Sequence, residues 1–212
     1  MPELEVRPVT NPTHTDSGKE LRFAEHRSDF ARVAAVRDSG GVYLDFDVFA
    51  LRDVRPLRET GFAAIVGREV TDQINSGIFM TRHHSTLISA WAAEMHRDYD
   101  GCWVTHSNLA LTRIAERLVA APREVLIMER HALGPGGWGN DDYDRLWGVH
   151  DDVPSALAGV NPGDPLPPDA SPPPQWAIDW SRTYLLHAFM PYRAHYTVKG
   201  FDYISPRYVL ER

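Results

Sequence analysis

The stretch that decides the fold is Gly40-Gly41-Val42-Tyr43-Leu44-Asp45-Phe46-Asp47-Val48. Two glycines open a short apolar run, and two carboxylates separated by one residue close it. Such a run predicts a buried β-strand, and ligands of open α/β sheets bind at the carboxyl ends of strands. Because Mg²⁺ and Mn²⁺ prefer carboxylate oxygens, we expect Asp45 and Asp47 to hold such a cation beside a phosphate. The alternative is that both residues begin a solvated turn, since a lone D-x-D is a weak pattern.

A helix is predicted directly upstream, over residues 26–37. Its apolar residues recur at helical spacing, and Gly40 or Gly41 is a candidate C-cap. Asp29 and Arg32 are three residues apart, so they share one face of this helix and could reach the same ligand. The alternative is an ordinary surface ion pair, which contributes little to stability.

Residues 26–57, HRSDFARVAAVRDSGGVYLDFDVFALRDVRPL, carry the helix and the D-x-D strand in one block. The block resembles glycosyltransferase family 32, the D-x-D sugar-binding enzymes that include the yeast-type α-mannosyltransferases. The resemblance continues more loosely to about Trp138. It implies an α/β fold of the GT-A type, a Rossmann-like sheet with flanking helices, and the length of the chain predicts one domain over residues 1–212. Residues 1–20 offer one candidate strand, Leu4–Val6, so the sheet is expected to be shortened at its N-terminus.

The resemblance also implies which side chains bind the donor. By similarity to the family, Asp29 accepts hydrogen bonds from the sugar, Arg32 contacts the sugar or phosphate, and Tyr43 lies beside the nucleotide. Asn75 lies near the donor, and Trp138 forms a wall of the sugar site. From the residues alone, Asn75 is equally explained as a turn former and Trp138 as a core side chain. No residue is assigned as a general base.

A metal-dependent transferase is the implied function. Asp45 and Asp47 would hold Mn²⁺ or Mg²⁺, with Asp45 also near the donor, and His187 matches a family histidine that returns to the metal. The expected reaction transfers a hexose (mannose, galactose or glucose) with retention of configuration. The expected donor is GDP-mannose or a UDP-hexose, and the acceptor is a glycan or glycolipid. A lone histidine in an apolar strand is also explained as a satisfied core residue.

Two other interpretations remain open. A degenerate relative would bind nucleotide-sugar or metal without turnover. Phosphatases of the haloacid dehalogenase type also end a buried strand in D-x-D, the first Asp being the nucleophile, and Asp141-Asp142 could stand in for their acidic pair. That class is disfavoured, because Phe49 occupies the place of a required hydroxyl and no Lys lies between Lys19 and Lys199.

Composition narrows the possible functions. The chain has 212 residues and a formal net charge of −7, which argues against a nucleic-acid-binding protein. Its single cysteine, Cys102, excludes an intrachain disulfide framework. No run of about 18 apolar residues and no signal-peptide core is present, so no transmembrane segment is predicted. The resemblance implies the Golgi lumen or membrane association, although the sequence shows no signal or anchor.

Two further helices are predicted. An amphipathic helix over residues 85–99 has Ser85 as candidate N-cap. Its apolar stripe is expected in the core: Leu87, Ile88, Trp91, Ala92 and Met95. A second helix is predicted over residues 107–121, with Ser107 as N-cap and apolar positions that include Leu109.

Strands and loops complete the predicted order. Strands are expected over residues 62–66, 124–128 and 183–189, and Asn75-Ser76-Gly77 is expected to turn before a strand that ends at Met80. Residues 53–56 are expected to break regular structure. Residues 161–174 are rich in proline and predict an insertion loop.

Overall fold

A computed structural model of the chain describes residues 5–69, 72–147 and 182–189. Within these ranges the structure is mixed α/β, which confirms that part of the predicted fold class. The helices there are α1 (Ala24–Ser39), α2 (Arg55–Arg58), α3 (Thr86–Asp98), α4 (Ala110–Leu118), α5 (Arg130–Leu133) and α6 (Asn140–Trp147). The strands are β1 (Gly41–Leu44), β2 (Val48–Ala50), β3 (Ala64–Arg68), β4 (Ile74–Thr81), β5 (Val125–Met128) and β6 (Leu185–His187). The predicted insertion loop over residues 161–174 lies outside the described residues.

Four strands form the main sheet, in the order β1-β4-β3-β5. Five residues connect β3 to β4, so these neighbours run antiparallel, because a parallel pair needs a longer crossover. β4 is buried along its whole length, whereas β1 ends the strand order and is half-exposed or exposed. The prediction of a buried strand at β1 is therefore wrong, because among the described residues β1 pairs with a strand on one side only.

A second, two-stranded sheet pairs β2 with β6. The strands are antiparallel, with Val48 opposite His187 and Ala50 opposite Leu185. This register places His187 beside the residue that follows Asp47. The expectation that residues 53–56 break regular structure is wrong in its second half, because α2 begins there with Pro56 in its first turn, a position where proline suits a helix.

The chain divides into two compact units. The first unit comprises Met1–Tyr43, Gly61–Ile65 and Phe79–Leu126, and the second comprises Leu44–Thr60, Val66–Ile78 and Ile127–Arg212.

In the first unit α3 packs against both α1 and α4. The predicted apolar stripe of α3 is buried, which confirms it as core. Ser85 caps the helix as predicted, because its hydroxyl accepts a hydrogen bond from the Ile88 amide at 3.3 Å. α1 ends at Gly40, whose φ of 67° is left-handed and whose amide donates to the Val36 carbonyl.

The start of α4 differs from the prediction. Residues Thr105–Leu109 form a π-helical turn, and α4 begins only at Ala110. Ser107 lies inside that turn and its hydroxyl donates to the Trp103 carbonyl at 3.2 Å, so the prediction that Ser107 caps the helix is wrong. Because the wider turn shifts the side-chain register, Leu109 is exposed while Leu111 is buried.

The segment before α1 contacts residues near the end of α3, because the Asp16 amide donates to His96 Nδ1 at 3.0 Å and Lys19 Nζ donates to the Tyr99 carbonyl at 2.6 Å. Glu5 and Val6 are described without secondary structure, so the described part of the predicted strand Leu4–Val6 does not form. His14 and Glu20 instead pair in an isolated antiparallel bridge. Among the helices of the described ranges, none combines the length and the apolar character needed to cross a lipid bilayer.

Candidate functional site

Asp45 and Asp47 lie in the turn between β1 and β2. The Asp45 amide donates to the Gly77 carbonyl at 2.8 Å, and the Val48 amide donates to the Asp45 carbonyl at 3.1 Å. The Ala188 amide donates to the Asp47 carbonyl at 2.9 Å. The backbone of the D-x-D is therefore fixed by β4 and by Ala188, the residue that follows β6.

Both carboxylates converge with the imidazole of His187. One ligand atom from each of Asp45, Asp47 and His187 lies within 4.8 Å of the others. His187 Nε2 is 3.2 Å from Asp47 Oδ1 and 3.9 Å from Asp45 Oδ2. The histidine is buried and the aspartates are half-buried, so charges in this cluster are partly shielded from solvent.

Gly77 forms the floor of this cluster. A Cβ atom at position 77 would overlap Asp45 Oδ2 and lie 2.7 Å from His187 Cε1. The two side chains converge over a backbone position that only glycine leaves open. Two carboxylates in this cradle, with an imidazole beside them, are an arrangement that fits a divalent cation.

Asn75 is buried within β4, directly under the cluster. The expectation that it forms a turn is wrong, because the strand begins at Ile74. Its amide nitrogen lies 3.0 Å from His187 Nδ1 and 3.2 Å from Glu69 Oε2, and its oxygen accepts the Gly77 amide at 2.6 Å. The side chain therefore orients the His187 ring, and the role in donor binding stays a prediction.

Asp29 and Arg32 form a buried pair in the first unit. The Arg32 guanidinium contacts Asp29 Oδ1, and each side chain is only 9% exposed, so the alternative of an ordinary surface pair is wrong. His106 Nε2 donates to Asp29 Oδ2 at 2.9 Å. Both carboxylate oxygens are thus held by nitrogen donors, which fixes the orientation of the carboxylate.

Tyr43 packs beside this pair. The Arg32 guanidinium carbon lies 5.0 Å from the centre of the Tyr43 ring, within cation–π range. Tyr43 also stacks on Phe79 with ring centroids 5.2 Å apart. Asp29, Arg32 and Tyr43 therefore form one group in the first unit, and their contacts with a donor stay predictions.

The contact of His106 with Asp29 was not indicated by any local pattern, because 77 positions separate the two residues. It is fully buried, and its Nδ1 atom has no hydrogen-bond partner among the described residues. Its ring lies 4.7 Å from that of His26, whose Nδ1 is 3.0 Å from the Tyr99 hydroxyl. Burial, and then the neighbouring His106, lower the pKa of His26.

Trp138 follows the short helix α5 in the second unit. Its side chain is 55% exposed, so the alternative that it is a core residue is wrong. An exposed indole offers a flat apolar face for stacking on a sugar. The proposed contact with the donor stays a prediction.

Comparison with known proteins supplies an independent observation. Residues 5–63 match the family model described as the glycosyltransferase sugar-binding region containing the DXD motif. The matched segment includes both the Asp29–Arg32 pair and the D-x-D of Asp45 and Asp47. The chain thus contains a segment similar to the sugar-binding region of D-x-D glycosyltransferases.

Two curated proteins resemble the chain over a longer stretch. Glucan organizing enzyme 1 of Cryptococcus neoformans var. grubii is 24% identical over 138 residues, which cover 60% of this chain and 36% of the relative. An uncharacterized protein of Arabidopsis thaliana is 30% identical over 129 residues, which cover 56% of this chain and 19% of the relative. The match thus spans about a third of the fungal relative and a fifth of the plant one. No solved structure matches the chain.

Proposed function

We propose that this chain carries the donor-binding site of a glycosyltransferase. The observation that carries the proposal is the convergence of Asp45, Asp47 and His187 within 4.8 Å, at a D-x-D inside the segment that matches the sugar-binding family. Carboxylates that share a divalent cation leave coordination positions for the phosphates of a nucleotide-sugar. The name of the fungal relative, which refers to glucan, supports a carbohydrate substrate.

The proposed reaction moves a hexosyl unit from a nucleoside diphosphate to an acceptor hydroxyl. The bond between sugar C1 and the diphosphate oxygen breaks, a bond from C1 to the acceptor oxygen forms, and the acceptor proton is released. We assign the chain to glycosyltransferase family 32 with a GT-A fold and net retention of configuration. The proposed donors are GDP-mannose and UDP-hexoses carrying glucose or galactose, and the proposed acceptor is a glycan or glycolipid in the Golgi or at its membrane.

The proposed role of the D-x-D residues is to stabilise the leaving group. Asp45 and Asp47 would hold Mn²⁺ or Mg²⁺, which when bound neutralises negative charge on the departing diphosphate. The backbone bonds that anchor both aspartates keep their carboxylates near each other before any ligand arrives. Because the carboxylates are already in place, the free-energy cost of rearranging the site during the reaction is lower.

The remaining proposed donor contacts come from polar and aromatic side chains. Asp29 accepts hydrogen bonds from sugar hydroxyls, and its orientation is already fixed by Arg32 and His106. Arg32 donates to the sugar or phosphate. Tyr43 lies beside the nucleotide, and the exposed ring of Trp138 stacks on the sugar.

Nucleotide release by the purified chain tests this proposal. The chain is incubated with UDP-glucose, UDP-galactose or GDP-mannose, with Mn²⁺ or with a chelator, and the freed nucleotide is measured. We expect Mn²⁺-dependent release that Asp47→Asn lowers by about 100-fold, because charge stabilisation at the leaving group is lost. The control is Asp141→Asn, which removes the same charge from an exposed position in the first turn of α6.

The outcomes separate the candidate functions. Release that Asp47→Asn leaves unchanged overturns the role of the D-x-D. Tight binding of a nucleotide-sugar without release by the unmodified chain indicates the non-catalytic relative instead.

A further inference from the structure

We propose that His187 serves the Asp45–Asp47 pair as a hydrogen-bond donor and not as a metal ligand, so that a cation held by this cluster has oxygen ligands alone. The presence of that cation rests on the proposed function. The position of the proton on the His187 ring does not depend on the proposed function, because contacts within this chain determine it.

The orientation of the Asn75 amide is the first step. The Gly77 backbone N–H is a donor only, so the Asn75 atom 2.6 Å from it is the oxygen. The amide nitrogen then faces Glu69 Oε2 at 3.2 Å and His187 Nδ1 at 3.0 Å. Turning the amide over would set its oxygen against the buried Glu69 carboxylate and its NH₂ group against the Gly77 N–H. Gly77 and Glu69 therefore select the same orientation of the Asn75 amide.

The position of the imidazole proton follows from that orientation. The Asn75 NH₂ group donates and does not accept, so His187 Nδ1 must offer its lone pair. A neutral imidazole carries one proton, which is then on Nε2. Nε2 lies 3.2 Å from Asp47 Oδ1, so a carboxylate acceptor is within hydrogen-bond distance of the atom that carries the proton. With its proton on Nε2, the ring has no lone pair at that atom for a metal ion.

The ring itself is held against rotation. Turning the imidazole over would put Cδ2 toward Asn75 and Cε1 toward Asp47, which removes both contacts. Phe189 stacks on the ring with centroids 3.9 Å apart and planes 17° from parallel. His187 Cε1 also lies against the floor at Gly77. These contacts maintain the orientation in which Nε2 faces the aspartates.

Metal selectivity follows from this arrangement. A histidine that donates to a ligating carboxylate orients that carboxylate without entering the coordination sphere. Carboxylate and phosphate oxygens favour Mg²⁺ and Mn²⁺, whereas an added imidazole nitrogen would favour Zn²⁺ and other later transition metals. Asn75 and Glu69 do not bind the cation themselves. By fixing the proton on His187 Nε2, they would keep the site selective for hard cations.

The proton position is measured in the metal-free full-length chain. Long-range ¹⁵N–¹H correlation spectra of protein labelled with ¹⁵N-histidine distinguish protonated from unprotonated ring nitrogens, and His187→Gln identifies the His187 signals. We expect a proton on Nε2 and none on Nδ1. A proton on Nδ1 overturns the proposal. If no nucleotide is released by the same preparation, the proposed function fails while this result still decides the tautomer.

The metal-bound state is tested with Mn²⁺ alone. Pulsed EPR detects ¹⁴N nuclei bound directly to Mn²⁺, and we expect no such coupling in the unmodified chain. The double variant Glu69→Gln with Asn75→Asp moves the carboxylate next to Nδ1, which draws the proton to Nδ1 and frees Nε2 for the metal. A ¹⁴N coupling should then appear, and Glu69→Gln alone should lack it. Directly bound nitrogen in the unmodified chain, or a proton that stays on Nε2 in the double variant, contradicts the proposal.

Discussion

Gly77→Ala is the substitution whose effect on the D-x-D cluster follows most directly from the geometry. The added Cβ would overlap Asp45 Oδ2 and lie 2.7 Å from His187 Cε1 and 3.0 Å from Asn75 Oδ1. Because non-bonded carbon atoms rest at about 3.5–4.0 Å, the carboxylate and the imidazole must retreat by about 1 Å. A displacement of that size separates the ligand atoms, and we expect the affinity for Mn²⁺ to fall by about 10- to 100-fold.

The same substitution is expected to leave the chain folded. Overpacking costs about 1–3 kcal/mol, and replacing a strand glycine with alanine returns about 0.5–1 kcal/mol. The net loss of at most about 2.5 kcal/mol is smaller than the stability of about 5–15 kcal/mol that is usual for a domain. Mn²⁺ binding is measured by calorimetry on the full-length chain, and folding is followed by circular dichroism.

Gly67→Ala provides the matched control. Its Cβ would meet the Leu133 side chain at 2.8 Å, so the same change overpacks an aliphatic contact in the second unit without touching a carboxylate. We expect a similar loss of stability with unchanged Mn²⁺ affinity. Equal affinity in Gly77→Ala and the unmodified chain would refute the reasoning, and so would an equal loss of affinity in both variants.

Three further changes test the first unit. Ser85→Ala should lower the free energy of unfolding in urea by about 1 kcal/mol, because the Ile88 amide loses its cap; an unchanged value would show that the contact is not a cap. His106→Leu should cost about 2 kcal/mol by removing a hydrogen bond to the buried Asp29 carboxylate, while His106→Gln should cost less; equal stability of both variants contradicts that role. Burial lowers the pKa of His26, so stability should be full above its ordinary value of 6.5 and should decline as the pH falls below it, by up to about 1.4 kcal/mol per pH unit. Thermal melts from about pH 7.5 to pH 5.5 should show a weaker decline in His26→Phe, and an unchanged slope would count against the assignment.

Local periodicity was sufficient to predict α1, α3, the body of α4 and several strands, but not the short helices α2, α5 and α6. α1 and α3 each bury one apolar stripe, and both carry their end signals, Gly40 and Ser85, in the adjacent sequence. The burial of β1 was not predictable in the same way, because its apolar composition does not encode a place at the end of the strand order. The π-helical turn before α4 also has no sequence signal that we recognise, so Ser107 was wrongly assigned as a cap.

The candidate site shows the same division between local and distant information. Asp45 and Asp47 are close because they are neighbours in the chain, and Asp29 meets Arg32 because they share a helix face. His187 was predicted as a site residue only through resemblance to a family. Its contact with Asn75, 112 positions away, has no local signal. The hydrogen bonds from Asn75 to Glu69 and His187 depend on how β4 packs, which no single segment specifies.

The central claim is that Asp45 and Asp47 together hold a divalent cation, and anomalous X-ray scattering from crystals of the chain grown with Mn²⁺ tests it most directly. We predict one Mn²⁺ peak at coordination distance from both carboxylates, with His187 beyond that distance. Saturating Mn²⁺ with no peak between the two aspartates, or with a peak bound by other residues, would contradict the account.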